Sequence, residues 1–397
     1  MTGSSAVSSI AAPATSSSAR RTLLVSGVAH ALHDGYTDLI YLLLPVWQSE
    51  FALSYAALAT LRGLYAGTMA ALQLPVERLG GRFSARAILA LGTGLAALGY
   101  SLAGASGGLV GLCASLSLAG AGASTQHPIA ASAVSRAYGA NARGPLGVYN
   151  FAGDIGKAGL PAATSLLLMS MPWRHAIALI AAAGVVVAAA IFLAMPRVPA
   201  AAPVPAAAGT PRSGTGRRGF RLLFSIGVLD TATRMGLLTF LPFLLQAKGA
   251  SLGQVGGALS LVFIGGAAGK FLCGWLGGRL GVLWTVLLTE GATAALILGV
   301  LALPLSATLI TLPFLGLMLN GTSSVLYGTV PELAPPGRTE RAFALFYTGT
   351  VGSGALSPVA YGLLGDAAGP QWGAAATALT ALLTFPLAIA LAPRLRS

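Results

Sequence analysis

Charged side chains are scarce in this sequence, since Asp, Glu, Lys and Arg together make up only 8% of its residues. A typical soluble domain carries about 25%, so this composition argues against a soluble fold. The chain has 10 acidic residues against 23 Lys and Arg, and its mean hydropathy is +0.79. Its 53 glycines are typical of helices that pack closely in lipid. We therefore expect an integral membrane protein.

Cysteine is also rare, and Cys113 and Cys273 are the only two. Both fall in apolar stretches without a zinc-ligand or disulfide spacing, so we expect them to be packing residues. The sequence further lacks a phosphate-binding loop, a nucleophile–base constellation and a long polar domain. These absences argue against an enzyme, and they give no reason to expect a cofactor.

Twelve apolar segments make up most of the chain, each near the ~20 residues that cross about 30 Å of hydrocarbon. We expect an all-α integral membrane protein with twelve transmembrane helices in two pseudo-symmetric six-helix bundles. The expected spans are residues 22–46, 52–77, 84–104, 108–136, 144–170, 173–195, 221–246, 252–277, 281–303, 306–331, 340–364 and 371–393.

The net charge of +13 could suggest a polyanionic partner, but the placement of the charges argues against one. If the chain starts in the cytoplasm, 17 of the 23 Lys and Arg fall in loops and tails on that side. This bias sets membrane orientation, so we expect no nucleic-acid partner. An even number of spans puts both termini inside. We expect a monomeric, multi-pass protein of a bacterial inner membrane.

Four regions follow from composition. Residues 1–21 are rich in Ser and Ala and are expected to form a disordered cytoplasmic tail. Residues 22–196 hold the first six spans. Residues 197–219 are rich in Pro, Gly, Ala and Arg, which predicts a solvated cytoplasmic linker. Residues 220–397 hold the last six spans.

The two halves repeat one another at a shift of 196 positions. Asp230 then corresponds to Asp34, and Gly349 corresponds to Gly153. Intramembrane Asp is rare, so the Asp match carries more weight than a match between glycines. Two similar halves joined by a linker are typical of a transporter whose site lies between them, near the bilayer midplane.

The loop after the second span reads PVERLGGR, residues 75–82. It resembles the cytoplasmic signature of the major facilitator superfamily, with Glu77, Arg78, Gly80 and Arg82 at the signature positions and Glu77 where Asp is usual. The resemblance implies alternating access around a central cavity. It also implies that the first, second, fourth, fifth, seventh, eighth, tenth and eleventh spans line that cavity.

Residues 30–55, 120–132 and 150–161 resemble the fosmidomycin resistance branch of that superfamily. Gln126 stands where an aromatic residue is expected before the His-Pro pair. This second resemblance implies proton antiport, efflux of a small anionic or amphiphilic compound, and drug resistance.

A polar stripe runs along the first span. His30, His33, Asp34 and Asp38 follow the i, i+3, i+4, i+8 spacing that places residues on one helix face. A charge at the bilayer centre costs roughly 2.5–3.5 kcal/mol by insertion scales. We therefore expect this face to look into water or onto partner charges.

Most other ionisable residues inside the spans also fall on expected cavity helices, and Glu290, on the ninth span, is the exception. The expected substrate-binding or gating residues are Asp38, Arg62, Gln126, Asp154, Lys157, Asp230 and Arg234. Similar depth or helical spacing predicts the pairs Asp38 with Arg62, Asp154 with Lys157, and Asp230 with Arg234.

Asp34 has no obvious cation beside it in the sequence, so it is the expected proton-coupling residue together with His33 or His127. His30 is expected to bond to backbone or to point toward a neighbouring helix. Pro128 lacks an N–H group and predicts a kink in the fourth span, as cavity lining or as ordinary packing.

Three functions remain open from the sequence. The first is proton-coupled export of a small anion, which Arg side chains would bind in a bidentate manner. The second is proton-driven uptake of an organic anion. The third is transition-metal transport through His30, His33 and Asp34, which would need a further ligand. The expected partners are a small-molecule substrate, protons and the lipid bilayer.

Overall fold

The computed structural model describes residues 16–80, 82–196, 216–334 and 339–395, and these are helical apart from short turns. The N-terminal half contains α1 (Ser16–Phe51), α2 (Tyr55–Leu79), α3 (Ala85–Ala105), α4 (Leu109–Ala123), α5 (Ala131–Tyr138), α6 (Arg143–Leu168) and α7 (Trp173–Ala194). The C-terminal half contains α8 (Gly216–Ala247), α9 (Leu252–Ala302), α10 (Leu305–Leu333), α11 (Thr339–Ala368), α12 (Pro370–Leu382) and α13 (Thr384–Leu395).

These helices form twelve spans, as predicted. The fourth span consists of α4 and α5 joined by a π-helical turn, and the twelfth consists of α12 and α13. The eighth and ninth spans are the two parts of α9, which is broken at Gly281 with φ 75°. Glycine adopts this left-handed conformation at little cost, so it allows the chain to reverse between the two spans. Each half therefore contains six spans.

Two predicted boundaries are wrong. Helix α1 begins at Ser16, so the last part of the expected disordered tail 1–21 is helical. Helix α8 begins at Gly216, inside the expected linker 197–219. Both extensions are polar and continue the helix beyond the apolar stretch, which hydropathy alone does not detect. The remainder of the tail and linker, residues 1–15 and 197–215, lies outside the described residues.

Six described stretches are long and apolar enough to cross a membrane by themselves. They are Ala85–Ala105, Trp173–Ala194, Arg218–Ala247, Leu252–Ala302, Leu305–Leu333 and Pro370–Leu395. The described helices outside this set are α1, α2, α4, α5, α6 and α11, which belong to cavity-lining spans. Large apolar side chains such as Val110, Leu193 and Phe271 are exposed on the outer surface, as expected for contact with lipid. The chain is a multi-pass membrane protein.

The two halves pack against each other through α2 with α11 and through α6 with α9. Glycine allows these helices to approach closely. A Cβ at Gly63 would lie 2.5 Å from the Ala355 carbonyl oxygen, and one at Gly256 would lie 3.0 Å from the Pro161 carbonyl oxygen. Small residues at such crossings let backbones touch, as is typical of helix packing in membranes.

The contacts between halves seal one side of the molecule, which we call the far side because it lies opposite the chain termini. Asp366 accepts hydrogen bonds from the backbone N–H groups of Tyr55 (2.6 Å) and Ala56 (3.1 Å) at the start of α2. The Ser260 hydroxyl of α9 donates to the Ala158 carbonyl of α6 at 2.5 Å. The space between the halves is therefore closed on the far side.

Candidate functional site

A central cavity of about 650 Å³ lies between the two halves. It is lined by the first, second, fourth, fifth, seventh, eighth, tenth and eleventh spans, and its lining extends to Gln73 and Tyr347 toward the termini side. The ionisable residues of the lining, apart from tyrosine, are Asp34, Asp38, Arg62, His127, Asp154, Lys157, Asp230, Arg234 and Lys270.

Asp34 lies at the centre of a charged cluster on the N-terminal side of the cavity. Its Oδ2 is 3.3 Å from Lys157 Nζ and 3.3 Å from His30 Nε2, and its Oδ1 is 3.9 Å from His127 Nε2. The expectation that Asp34 has no close cation is therefore wrong. Lys157 comes from α6, a helix distant in sequence, so local spacing could not reveal it.

Glycines on α6 bring Lys157 to Asp34. A Cβ at Gly153 would lie only 2.6 Å from Asp34 Oδ2, and a Cβ at Gly156 would collide with the Ala31 carbonyl oxygen of α1. Both glycines are therefore needed for α6 to lie against α1 at this depth. The polar cluster and the close packing of these two helices are one feature of the fold.

His33 does not belong to this cluster. Its Nε2 lies 3.0 Å from the Thr93 hydroxyl of α3, and the side chain is buried outside the cavity lining. The structure thus separates His33 from Asp34, although the two residues are neighbours in sequence. This geometry removes the basis for the predicted pairing of His33 with Asp34, and it also removes His33 from the predicted metal site.

His30, rather than the predicted His33, lies beside Asp34. Its Nδ1 lies 2.8 Å from the Tyr149 carbonyl oxygen, and its ring stacks on the Tyr149 ring at 4.1 Å. A carbonyl oxygen only accepts, so Nδ1 carries a hydrogen and Nε2 is the nitrogen that can gain or lose a proton. Nε2 has no hydrogen-bond partner and faces the Asp34 carboxylate. The expected backbone bond is therefore present.

The fourth span is irregular beside this cluster. Residues Gln126–Ala130 form a π-helical turn around Pro128, as expected where proline removes a hydrogen-bond donor. His127 and Pro128 line the cavity. The Gln126 side chain instead points toward the Ser26 carbonyl and the Tyr149 hydroxyl, both at 3.4 Å, and is buried away from the cavity. The structure therefore gives no support for the prediction that Gln126 binds substrate or acts in gating.

The predicted pair of Asp154 with Lys157 is wrong. Asp154 Oδ1 lies 2.6 Å from Lys270 Nζ on α9, and Lys157 pairs with Asp34 instead. The two residues are one turn apart on α6, but each has an oppositely charged partner on a neighbouring helix. The Asp154–Lys270 ion pair joins the two halves of the molecule.

The predicted pair of Asp38 with Arg62 is also wrong, since no ion pair within 4.0 Å joins these two described residues. The Arg62 guanidinium lies over the rings of Tyr41 (5.2 Å) and Tyr65 (6.0 Å). Its Nε and Nη1 atoms have no hydrogen-bond partner, although the residue is almost fully buried. Arg62 lines the cavity, so these unpaired nitrogens are candidate hydrogen-bond donors to an anionic ligand.

The predicted pair of Asp230 with Arg234 is the third that the geometry contradicts. Asp230 Oδ2 accepts a hydrogen bond from the Ser323 hydroxyl at 2.9 Å, and Arg234 Nη1 donates to Asn320 Oδ1 at 3.3 Å. Both partners come from α10, so the two side chains are held apart by a neighbouring helix. Among the described residues, Arg234 therefore has no acidic partner within ion-pair distance.

Glu290 is a site residue whose role the sequence analysis missed. It comes from the ninth span and is 2% exposed, and it follows Thr289, which bonds to Thr322 on α10 beside the Ser323 that bonds to Asp230. An acid inside an apolar span was visible in the sequence, but its location on a supporting helix gave no reason to link it to the cavity. The tertiary structure brings it behind Asp230.

The predicted signature residues form the turn between α2 and α3. Glu77 and Arg78 lie in the last turn of α2 and are exposed. The Gly80 N–H donates to the carbonyl of Glu77 (3.0 Å), and the Arg82 N–H donates to that of Leu79 (2.9 Å). The assigned signature role stays a prediction.

The candidate metal ligands in the structure differ from those predicted for the metal-transport alternative. Ligand atoms of His30, Asp34 and His127 lie within 4.8 Å of one another, so His127 takes the place that the sequence analysis gave to His33. The Lys157 ammonium, however, already contacts Asp34 at 3.3 Å. A divalent metal ion would have to compete with the Lys157 ammonium for the Asp34 carboxylate, so this arrangement disfavours metal binding.

The comparisons with known proteins agree with this architecture. The family model described as Major Facilitator Superfamily matches residues 26–228 and 223–397. No curated protein sequence matches the chain significantly.

Several solved structures share the fold. A bacterial homologue of the human lysosomal transporter Spinster, inward-facing and occupied, has a TM-score of 0.81 at 15% identity over 96% of this chain and 98% of that chain. Its inward-facing and unoccupied form has a TM-score of 0.75 at 16% identity over 95% and 97%. A variant of the nucleoside transporter NupG has 0.76 at 12% identity over 94% and 99%.

These structural similarities establish a shared fold, and the family match extends over nearly all of the described chain. The two six-span halves and the central cavity are the features that the sequence repeat predicted. The chain belongs to the Major Facilitator Superfamily, and it is a membrane transporter rather than an enzyme.

Proposed function

We propose that this protein is a proton-coupled secondary active transporter that works by alternating access and exports a small anionic or amphiphilic compound. The direction and a fosmidomycin-like drug or metabolite as cargo rest on the resemblance of residues 30–55, 120–132 and 150–161 to the fosmidomycin resistance branch. The positive-inside bias supports cytoplasmic termini, and the proposed location is a bacterial inner membrane. The cavity, sealed on the far side, then faces inward.

The cluster around Asp34 is the observation that carries the proton-coupling proposal. It combines one carboxylate, two imidazoles and one ammonium group at the wall of the central cavity. His30 Nε2 and His127 Nε2 can each hold a proton that Asp34 stabilises. Proton binding here weakens the attraction between Asp34 and Lys157, so it changes the charge that the cavity presents to a substrate.

Two arginines support an anionic substrate. Arg62 projects from the N-terminal half and Arg234 from the C-terminal half, and neither makes an ion pair among the described residues. Each has at least one buried guanidinium nitrogen without a hydrogen-bond partner. A phosphonate, phosphate or carboxylate between them would satisfy both halves at once. Binding would then favour movement of the two halves together.

Uptake together with protons is the second candidate, and the Asp34–Lys157 contact favours it. An anion that draws Lys157 away from Asp34 leaves the carboxylate without its cation, which increases its affinity for a proton. Anion and proton would therefore bind together. Export by exchange needs the opposite coupling, in which substrate and proton compete for the cluster.

Reconstituted vesicles test the proposal with fosmidomycin as the probe. We expect flux that requires a proton gradient and that is lost in Asp34→Asn, while the exposed control Glu332→Gln transports normally. Flux that is unchanged in Asp34→Asn would rule out the proposed proton site. The sign of the coupling separates the two candidates, since a substrate gradient moves protons in the opposite direction for exchange and in the same direction for joint transport.

A further inference from the structure

The C-terminal half contains a second buried acidic group that the proton-coupling proposal does not use. Asp230 lines the cavity from α8, and Glu290 lies behind it on the ninth span. The two residues are 3% and 2% exposed. Neighbouring residues of α10 bring them together, since Ser323 bonds to Asp230 and Thr322 bonds to Thr289, the residue before Glu290. Two carboxylates that share a buried site cannot both be ionised at neutral pH unless cations compensate them.

The surroundings supply little positive charge. Arg234 acts on both acids, but it makes no ion pair with either at 4.0 Å or less within the described part of the chain. Tyr327 on α10 is the other titratable group that acts on the pair, through Asp230. One guanidinium can compensate one carboxylate, so the second must be neutral.

The hydrogen bonds indicate which acid is neutral. Asp230 Oδ2 accepts from the Ser323 hydroxyl at 2.9 Å, as an ionised carboxylate does. Glu290 Oε2 has no hydrogen-bond partner although it is fully buried. The Thr322 hydroxyl, on the adjacent helix, donates to the Thr289 hydroxyl at 2.7 Å. A proton on Glu290 that is shared with Asp230 is the simplest way to satisfy the buried carboxyl group.

We propose that Asp230 and Glu290 form a second proton-binding site, in which the two carboxyl groups share one proton and Asp230 connects it to the cavity. The location of Asp230 in the lining gives the proton a route, since Glu290 itself lies behind the cavity wall. The proton shared by Asp230 and Glu290 does not depend on the proposed function, whereas its role in transport rests on that function.

Infrared difference spectroscopy on the purified full-length protein in lipid tests the site without any transported compound. At neutral pH the wild type is expected to show a protonated carboxyl band that shifts in heavy water. Glu290→Gln should lose this band, because Asp230 is then left beside Arg234 and ionises. Asp230→Asn should keep a protonated carboxyl, at a displaced frequency, because Glu290 stays buried and makes no ion pair with Arg234 among the described residues.

The exposed Glu332→Gln serves as the matched control and should leave the band unchanged. The proposal is overturned if the wild type has no protonated carboxyl at neutral pH, or if the band survives in Glu290→Gln. Loss of the band in Asp34→Asn instead would assign the proton to the N-terminal cluster and overturn it as well. If a variant fails to fold, the absence of the band from the wild type still overturns the proposal. Since vesicle flux is a separate measurement, failure of this site and failure of proton-coupled transport can be told apart.

Discussion

Asp34 and Asp230 occupy equivalent positions in the two halves, yet their surroundings differ in charge. Asp34 is compensated by an ammonium and faces two imidazoles, whereas Asp230 is held by a hydroxyl and a second carboxyl group. The same shift of 196 positions places Ser323 where the first half has His127. One repeat position thus supports an ion pair in one half and a proton-sharing pair in the other.

This difference indicates that the acidic sites of the two halves have different roles in binding protons. In the proposed function the N-terminal cluster changes its charge when a proton binds, because two imidazoles lie beside the Asp34–Lys157 ion pair. The C-terminal pair has Arg234 nearby but no bonded cation, so it needs a proton to remain buried. Three comparisons between the two halves can break or sharpen this contrast.

The largest expected effect comes from removing Lys157. Because Lys157 is 31% exposed, Lys157→Met should destabilise the protein by roughly 3 kcal/mol, the lower end of the range for a broken buried ion pair. Asp230→Asn should cost only about 1 kcal/mol, since an amide oxygen can still accept from Ser323. Denaturant unfolding in detergent measures both. The double variant Asp34→Asn/Lys157→Met should recover most of the loss, and equal losses in all three would contradict the contrast.

The next effect concerns the equivalent glycines Gly156 and Gly352. A Cβ at Gly156 collides with the Ala31 carbonyl, whereas a Cβ at Gly352 has open space. Gly156→Ala should therefore cost about 1–3 kcal/mol through overpacking, and it should abolish transport by moving α6 away from Asp34.

Gly352→Ala is the matched control. It should be stabilising by about 0.5–1 kcal/mol, because alanine is the better residue in a helix interior. Thermal unfolding and vesicle flux measure both variants. Similar behaviour of the two would show that the close approach of α6 to α1 has no special role.

The last comparison concerns the far-side seal. Asp366→Ala removes the carboxylate that accepts from the N–H groups of Tyr55 and Ala56, at a cost of about 1 kcal/mol. The loss falls on the sealed conformation alone, so a larger share of molecules should open on the far side. Ser170 is the equivalent position in the first half, and its hydroxyl bonds only within its own turn, to Leu167.

Distance measurements between spin labels on the far-side ends of α2 and α11 detect this change. Asp366→Ala should increase the populated distances, and Ser170→Ala should leave them unchanged. An unchanged distribution in Asp366→Ala would mean that this capping contact does not hold the halves together.

The sequence was sufficient for the fold class. Apolar segments of spanning length predicted twelve spans, and the structure has twelve, with two helix starts displaced into polar sequence. The π-helical turn at Pro128 also followed from the missing N–H group. These features depend on the chain's own local chemistry, so no knowledge of neighbouring helices was needed.

The charge pairing was not predictable in the same way. All three predicted pairs were wrong, because sequence spacing gives the depth of a residue in the membrane but not the rotation of its helix or the distance to the next one. Asp38 and Arg62 have similar expected depths, yet Arg62 turns toward Tyr41 and Tyr65. The depth of each residue therefore identified the correct cavity helices but did not predict the ion-pair partners.

The sequence by itself determined that this is a twelve-span membrane protein with costly charges on its cavity helices, because hydropathy and length are properties of each segment alone. Only the tertiary structure decided which charges meet. Glycines at positions 153 and 156 let α6 reach α1 and deliver Lys157 to Asp34. Side chains from neighbouring helices separated His33 from Asp34 and brought Glu290 behind Asp230. These contacts depend on how helices approach and rotate, which is decided by packing across the whole bundle.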